Sequence, residues 1–158
     1  ASCGGQGPDQ IHRWEAPDTR VRVSHCFSGD TPAALNDDVL PDGSGDTDIP
    51  RFTWWNHTGT TEWVEYRFDE PRTISSSQVY WFDDTGHGRC RVPRSWELLY
   101  RDDGRWKPVR GTDSYGTAKD RFNEVSFEPV ETGAVRLRAK LKPGFSGGIL
   151  EWRVDGGR

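Results

Sequence analysis

The sequence AVRLRAKL at residues 134–141 alternates apolar and basic side chains along its whole length. Successive side chains of a β-strand point to opposite faces, so the apolar residues should face a core and the basic residues should face solvent. EWVEYRFD at residues 62–69 and SWELLYR at residues 95–101 show the same period of two. These three segments therefore predict strands that each bury one face.

Short β-rich segments separated by turn residues occupy most of the remaining chain. We expect strands at residues 19–23, 62–69, 76–82, 95–101, 106–109, 122–127, 134–141 and 149–154. Residues 70–72 (EPR) are expected to form a turn, and Asp103-Gly104 should form the turn of a hairpin. No segment shows a helical stripe longer than a turn or two. The pattern predicts an all-β fold, a β-sandwich of the jelly-roll type.

The composition fits a single domain whose core is rich in aromatic rings. The 158 residues include eight Trp and seven Phe although only 32% are hydrophobic, and 18 Gly with 10 Pro favour turns over long helices. Residues 1–18 mix Gly, Pro and polar side chains without a period. We expect a linker or tail there and the folded module at residues 19–158. Because the chain begins at Ala1 rather than Met, we interpret it as a processed form or an excised domain.

The charge and hydropathy of the chain argue against two classes of partner. The net charge of −4 disfavours nucleic acid, because phosphate binding requires a basic face. No apolar run approaches the length of a membrane-spanning helix, and no signal peptide is recognisable. We therefore expect neither nucleic acid nor membrane among the partners.

The three cysteines are an odd number, so at most one pair can form within the chain. We expect Cys26 to pair with Cys90 if the protein is secreted, since both lie inside the predicted fold. Cys3 lies in the Gly-rich tail and would then be free or paired outside this chain. Three unpaired thiols are the alternative, because the sequence alone does not show which side chains meet.

The longest segment without a strand or helix period is residues 33–63. It contains a cluster of aspartates, two adjacent tryptophans and an Asn-His pair. Oxygen-rich loops suit a hard cation such as calcium. Exposed indole rings beside Asn, His and charged groups suit a sugar, whose C–H face stacks on the ring while its hydroxyls form hydrogen bonds. This loop is therefore the first candidate for a binding site.

The order of several short motifs resembles the discoidin or coagulation-factor-5/8 C-type module, also called galactose-binding-like. The motifs are ALNDD (34–38), TWW (53–55), EWV (62–64), WELLY (96–100) and DGRW (103–106). Longer strings at residues 51–66, 80–100 and 143–154 resemble the ancillary module of bacterial β-L-arabinofuranosidase-type glycoside hydrolases. One departure is Asp37-Asp38, where the family has Asp-Gly.

This resemblance implies a structural Ca²⁺ that ties the first loop to the last strand. Its expected ligands are Ala34, Asp37, Val39, Thr53, Leu150 and Glu151. Carbonyl oxygens with two carboxylates would give a hard-oxygen shell of nearly balanced charge. The alternating oxygens of DGSGDTD (42–48) are a rival site, but Thr47 and Thr53 occupy the positions where a helix–loop–helix site requires Gly and Glu. A solvated acidic loop is the plainer interpretation of that segment.

Four loops of such a sandwich, in chain order residues 33–63, 83–94, 111–119 and 142–148, should cluster at one end and form a shallow sugar-binding basin. The expected ligand-binding residues are Trp54, Asn56, His57, Asp83, Asp84, His87, Arg89, Tyr115 and Phe145. The Thr-x-Trp match assigns Trp55 to the core and leaves Trp54 exposed. His57 and His87 could instead stabilise their loops, and Arg89 could pair with an aspartate to brace the second loop.

We therefore expect a secreted, non-catalytic carbohydrate-binding module excised from a larger glycoside hydrolase. Its partners would be an arabinose- or galactose-containing plant polysaccharide and the catalytic domain of the parent enzyme. Glycosidases also use a pair of carboxylates, for which Asp83 and Asp84 are candidates. Adjacent aspartates point to different sides, however, so these two do not make a suitable catalytic pair. A structural domain that packs on a catalytic domain without binding sugar is the main alternative. A protein- or lipid-adhesion module is the other.

Overall fold

The computed structural model describes residues 10–12 and 19–156. Within this part the chain forms eight strands and one 3-10 helix, so the expectation of an all-β fold is confirmed. In chain order the elements are β1 (Gln10–His12), β2 (Thr19–Val23), the 3-10 helix (Pro32–Asn36), β3 (Phe52–Thr53), β4 (Thr61–Phe82), β5 (Ser95–Asp102), β6 (Arg105–Pro108), β7 (Phe122–Lys140) and β8 (Gly148–Asp155). No helix in the described residues is long and apolar enough to span a membrane.

Two long strands connect the layers of the β-sandwich. The antiparallel order is β1-β2-β4-β7-β5-β6, and β8 pairs with both β4 and β3. The first half of β4 pairs with β2, its second half pairs with β8, and β7 accompanies it along both halves. The β4–β7 register shifts between Arg67 and Arg72 and again between Ile74 and Ser76. Such irregularities bend a strand, which lets one strand contribute to both layers.

The strands are longer than the sequence predicts. The predicted strands at 62–69 and 76–82 are parts of β4, and those at 122–127 and 134–141 are parts of β7. The predicted turn at residues 70–72 is wrong. Pro71 lies in the first register shift, where the missing N–H of proline breaks no ladder hydrogen bond.

Two other local predictions can be compared with the structure. Asp103-Gly104 joins β5 to β6 with φ angles of 50° and 78°, so the two-residue Asp-Gly hairpin is confirmed. Residues 10–12, inside the segment expected to be a linker or tail, form β1 and pair with β2. Residues 1–9 and 13–18 lie outside the described residues.

The core is built from aromatic rings, as the composition predicts. Trp54, Trp81 and Trp152 are fully buried. The Tyr66 ring stacks on Trp152 with 4.1 Å between centroids, and its hydroxyl donates to the Trp152 carbonyl at 2.6 Å. The same hydroxyl lies 3.2 Å from the carbonyl of Leu35 in the 3-10 helix. This contact holds the first loop against β8.

The cysteines do not pair as expected. Cys26 is disulfide-bonded, whereas Cys90 is a buried free thiol. The expected Cys26–Cys90 bond is wrong because the two side chains pack in different places. Cys26 belongs to the main core, and Cys90 belongs to a smaller cluster with Tyr80, Phe82 and Leu150. The prediction for Cys3 falls outside the described residues.

Candidate functional site

A cavity of about 340 Å³ opens between the first and second loops. We call it the Trp55 cavity. It is lined by Phe27, Asp30, Arg51, Thr53, Trp55, Phe82, Asp84, Gly88, Arg89 and Cys90. The lining therefore combines aromatic rings, two arginines and two aspartates, a mixture suited to a polar ligand that also has an apolar face.

One wall of the cavity is an ion pair held against β3. Asp30 is 6% exposed and accepts hydrogen bonds from Arg51 Nε at 3.1 Å and from the Thr53 hydroxyl. The Arg51 guanidinium also lies 5.1 Å from the centre of the Phe82 ring. The Arg51 side chain stays about one-third exposed, at 34%, so the guanidinium faces the cavity.

The opposite wall is the second loop. Asp84 Oδ1 accepts a hydrogen bond from the Cys90 backbone N–H at 2.8 Å. A Cβ at position 88 would lie 2.2 Å from Asp84 Oδ2, so a larger residue there would displace the Asp84 carboxylate. Arg89 is exposed and donates from Nη2 to the Gly144 carbonyl at 2.7 Å. Burial raises the pKa of the Cys90 thiol to about 12, so the thiol adds no charge to this wall.

Two cations cover Phe145, which stands beside this wall. The Arg89 and Arg91 guanidinium groups lie 5.0 and 4.5 Å from the Phe145 ring centre. The ring is half-buried and does not line the cavity. Phe145 therefore supports Arg89 instead of presenting an open stacking face.

Asp83 holds the second loop together and is buried, at 4% exposure. Its Oδ1 accepts from the N–H and hydroxyl of Thr85, and its Oδ2 accepts from the Val92 N–H at 3.0 Å. Burial raises the pKa of this carboxyl, but the hydrogen bonds outweigh burial and leave the pKa below its usual value. The Asp83 oxygens already bind the loop, which argues against the expected ligand role of this residue.

The two adjacent tryptophans exchange their expected roles. Trp54 is 0% exposed, packs edge-on against Phe52 at 5.3 Å and donates its backbone N–H to Gly147 at 2.9 Å. Trp55 is half-buried and lines the cavity. The burial of Trp54 could have been predicted from the alternation of side chains in an extended segment. Trp54 lies two residues after the apolar Phe52 and therefore shares its face.

A polar network fixes the backbone beside Trp55. The rings of His25 and His57 stack with 3.7 Å between centroids, and His25 Nε2 lies 2.9 Å from the Trp55 carbonyl. Burial raises the pKa of Glu62, but its hydrogen bonds outweigh burial and lower the pKa overall. Those hydrogen bonds come from Thr60 (2.6 Å), Ser24 (2.7 Å) and His57 (2.8 Å). His57 therefore positions the loop and does not line the cavity.

Of the remaining expected ligand-binding residues, two are exposed to solvent and one packs within the fold. Asn56 and His87 are exposed and lie outside the cavity lining. Tyr115 packs on Trp96 at 4.8 Å, and its hydroxyl accepts the Leu98 N–H at 3.1 Å, so it braces the third loop.

Of the expected ligand residues, only Asp84 and Arg89 line the cavity. The residues that sequence reasoning missed include Phe27, Asp30, Arg51 and Trp55. No periodic signal marks Asp30 or Arg51, because each lies in an irregular segment and the two meet only in three dimensions.

Two carboxyl groups meet between the 3-10 helix and β8, where calcium ligands are expected. The Asp37 side chain interacts with that of Glu151, which is 0% exposed. Burial raises the pKa of Asp37. Asp38 adopts φ = 59°, the left-handed conformation that favours the glycine found there in the family pattern. This pair of acids in a region of low exposure suits a hard cation.

The other expected calcium ligands have mixed positions. Ala34 and Leu150 are buried, and Val39 is 38% exposed. Thr53 lies at the Trp55 cavity, where its hydroxyl donates to Asp30 and its carbonyl accepts the Phe27 N–H. Thr53 therefore belongs to the cavity wall. In the described residues, no group of three or more His, Cys, Asp or Glu side chains is arranged to hold a metal ion.

The acidic segment at residues 42–48 uses its oxygens internally. Asp46 accepts hydrogen bonds from the backbone N–H groups of Asp42 (3.0 Å) and Asp48 (2.9 Å). Ser44 is buried and exchanges hydrogen bonds with Asp120. These contacts support the interpretation of this segment as an ordered acidic loop.

The segment GFSGG at residues 144–148 matches the Gly-x-Ser-x-Gly pattern of serine hydrolases. That chemistry requires an exposed serine on a turn between a strand and a helix. Ser146 is 1% exposed, and the segment leads into β8. The hydroxyl is therefore not presented as a nucleophile.

Solved structures with the same fold include modules that bind sugars. A structure of the Streptococcus pneumoniae beta-galactosidase BgaA is 21% identical, with a TM-score of 0.73, over 96% of this chain and 100% of that one. The family 32 module of C. perfringens NanJ, solved with galactose, is 12% identical, with a TM-score of 0.62, over 87% and 93% of the chains.

A third structure is chitosan-binding module 1 of a Paenibacillus sp. IK-5 chitosanase/glucanase. It is 14% identical, with a TM-score of 0.62, over 88% of this chain and 96% of that one. A comparison with curated proteins found no match. The profile of the F5/8 type C domain matches residues 21–151, most of the chain. With this match and the fold, the chain belongs to the F5/8 type C domain family.

Proposed function

We propose that this protein is a non-catalytic carbohydrate-binding module that holds a glycan in the Trp55 cavity. The observation that carries the proposal is the half-buried indole of Trp55 in the same cavity as the charged side chains of Arg51, Asp84 and Arg89. An indole offers a flat apolar face for the C–H groups of a sugar ring. The charged groups can form hydrogen bonds with its hydroxyls.

The proposed ligand is an arabinose- or galactose-containing plant polysaccharide, and the proposed partner is an appended glycoside hydrolase. The galactose-bound relative and the glycosidase relatives support this choice. Tethering would keep the enzyme near its substrate and raise the effective concentration, so modest affinity at one site suffices. We further propose that the protein is secreted, because the disulfide at Cys26 suits an oxidising compartment.

Calorimetric titration with L-arabinose, galactose, arabinan, arabinogalactan and pectic galactan tests the proposal. We expect one sugar class to bind. Trp55→Ala should weaken that binding at least about tenfold, or about 1.4 kcal/mol, because the stacking face is lost. Trp106→Ala is the control, since Trp106 is a half-buried indole outside the cavity lining. If a folded sample binds no panel member, the structural-domain alternative replaces this proposal.

We also propose a structural Ca²⁺ held by the carboxylates of Asp37 and Glu151 with carbonyls of Ala34, Val39 and Leu150. The cation would offset the charge of two acids that meet in a region of low exposure. It would join the first loop to β8.

Removal of Ca²⁺ with EDTA should lower the melting temperature of the wild-type protein. A fall of about 2–4 °C or more is expected, which is the shift for about 1 kcal/mol in a domain of this size. The Asp37→Asn variant should lose this sensitivity, whereas Asp46→Asn in the acidic loop should keep it. An unchanged wild-type melting temperature would rule out the calcium proposal.

A further inference from the structure

The positively charged side chains that line the Trp55 cavity are more exposed than the negatively charged ones, although the formal charges of the lining sum to zero. Two aspartates and two arginines line it. Asp30 is 6% exposed, and the Asp84 side chain is 18% exposed. The Arg51 side chain is 34% exposed, and Arg89 is exposed to solvent. A ligand in the cavity would therefore meet guanidinium groups before it meets carboxylates.

The two aspartates are also occupied by the protein itself. Asp30 binds Arg51 and Thr53. Asp84 accepts the Cys90 N–H and lies 3.6 Å from Arg91 Nη1. Arg91 is a third cation beside the second loop. Both carboxylates are thus paired with donors of the protein itself, so they would repel an anionic ligand only weakly.

Both arginines keep donors for a ligand. A guanidinium has five N–H donors in a planar fork. The contact of Arg51 with Asp30 is made through Nε, and that of Arg89 with the Gly144 carbonyl is made through Nη2. The Phe145 ring, 5.0 Å from the Arg89 guanidinium, restricts the Arg89 side chain, which lowers the entropy cost of binding. A carboxylate matches this fork with two charge-assisted hydrogen bonds.

We propose that the Trp55 cavity selects a sugar that carries a carboxylate, a uronic acid residue, with Arg89 binding the carboxylate and Trp55 stacking on the ring. This inference rests on the proposed function and names the ligand class of the same site. It assigns Arg89 to specificity, because a uronate carboxylate can accept two charge-assisted hydrogen bonds from Arg89, whereas a neutral sugar offers only hydroxyls. It disfavours cationic amino sugars at this site.

Four methyl glycosides that differ only at C6 test the inference: galactose, galacturonate, the methyl ester of galacturonate, and galactose 6-sulfate. Calorimetric titration of the wild-type protein should give a Kd for galacturonate at least about tenfold below those of galactose and the ester. Arg89→Gln should reduce this preference to within about twofold, because glutamine is neutral and offers no charged fork to the carboxylate. Arg138→Gln is the control, because Arg138 is an exposed arginine paired with Glu97 outside the cavity lining.

The outcomes separate this inference from the proposed function. Equal binding of galactose and galacturonate would overturn the uronate inference and leave carbohydrate binding intact. Tighter binding of the 6-sulfate than of galacturonate would overturn the carboxylate assignment. A preference for galacturonate that survives in Arg89→Gln would overturn the role of Arg89. If a folded sample binds none of the four sugars or the polysaccharide panel, both proposals fail.

Discussion

Replacing Trp54 by alanine is expected to lower the free energy of unfolding by about 3–5 kcal/mol. The indole is fully buried and packs against Phe52, so its removal leaves a large cavity in the core. Trp55→Ala should cost no more than about 1 kcal/mol, because that ring is half-buried at the cavity. Urea unfolding followed by circular dichroism would measure both changes.

The neighbouring tryptophans serve as controls for each other. They have the same chemistry and adjacent positions, so a difference between the two variants reports side-chain direction alone. Trp54→Phe should recover part of the lost stability because it refills part of the cavity. The opposite pattern, a stable Trp54→Ala and an unstable Trp55→Ala, would restore the assignment made from the Thr-x-Trp motif.

Asp83→Ala should lower the free energy of unfolding by about 2–4 kcal/mol, because it removes the buried carboxylate to which three donors bind. Those donors are the N–H and hydroxyl of Thr85 and the N–H of Val92. The loop that carries Asp84 and Arg89 would also loosen, so glycan affinity should fall as well. Urea unfolding and titration of the same variant would separate the two effects.

The pH dependence of Asp83 has a definite sign. Its pKa is lower in the folded protein than in the unfolded chain, so the carboxylate stabilises the fold above about pH 4. That stabilisation should disappear as the pH falls through the folded-state pKa. The free energy of unfolding of Asp83→Asn should therefore fall less steeply than that of the wild type as the pH is lowered below about 4.

Asp102→Ala is the matched control for Asp83→Ala. Asp102 is exposed and pairs with Lys107 at 2.6 Å. An exposed pair contributes little to stability because solvent screens it, so this variant should be nearly as stable as the wild type. If Asp83→Ala were equally harmless and lost only glycan binding, Asp83 would be a ligand residue, as the sequence first indicated.

Most strands could be predicted because their signal is local. The alternation at residues 134–141 places Val135 and Leu137 in the core, and both are fully buried. The Asp103-Gly104 turn could be predicted for the same reason, since the φ angles of a two-residue hairpin select its residues. The continuity of β4 could not be predicted from the sequence, because Pro71 is tolerated in this strand only where the register shifts.

The candidate site was predicted less well because its residues come from distant segments. Asp30 and Arg51 are 21 residues apart, and they form a site only where β3 meets the second loop. Asp83 and Asp84 are chemically identical neighbours, yet one is turned inward to bind Thr85 and Val92 and the other lines the cavity. Residue type alone does not distinguish them.

Local sequence patterns predict the all-β class, most strand positions, the Asp-Gly hairpin and the family resemblance. Each of these depends on residues that are close along the chain. The tertiary structure decided that Trp55 rather than Trp54 faces the cavity, that Cys26 does not bond Cys90, and that the accessible charges are those of arginines. These outcomes depend on which side chains are buried by distant segments, and burial is set only when the layers and loops pack together.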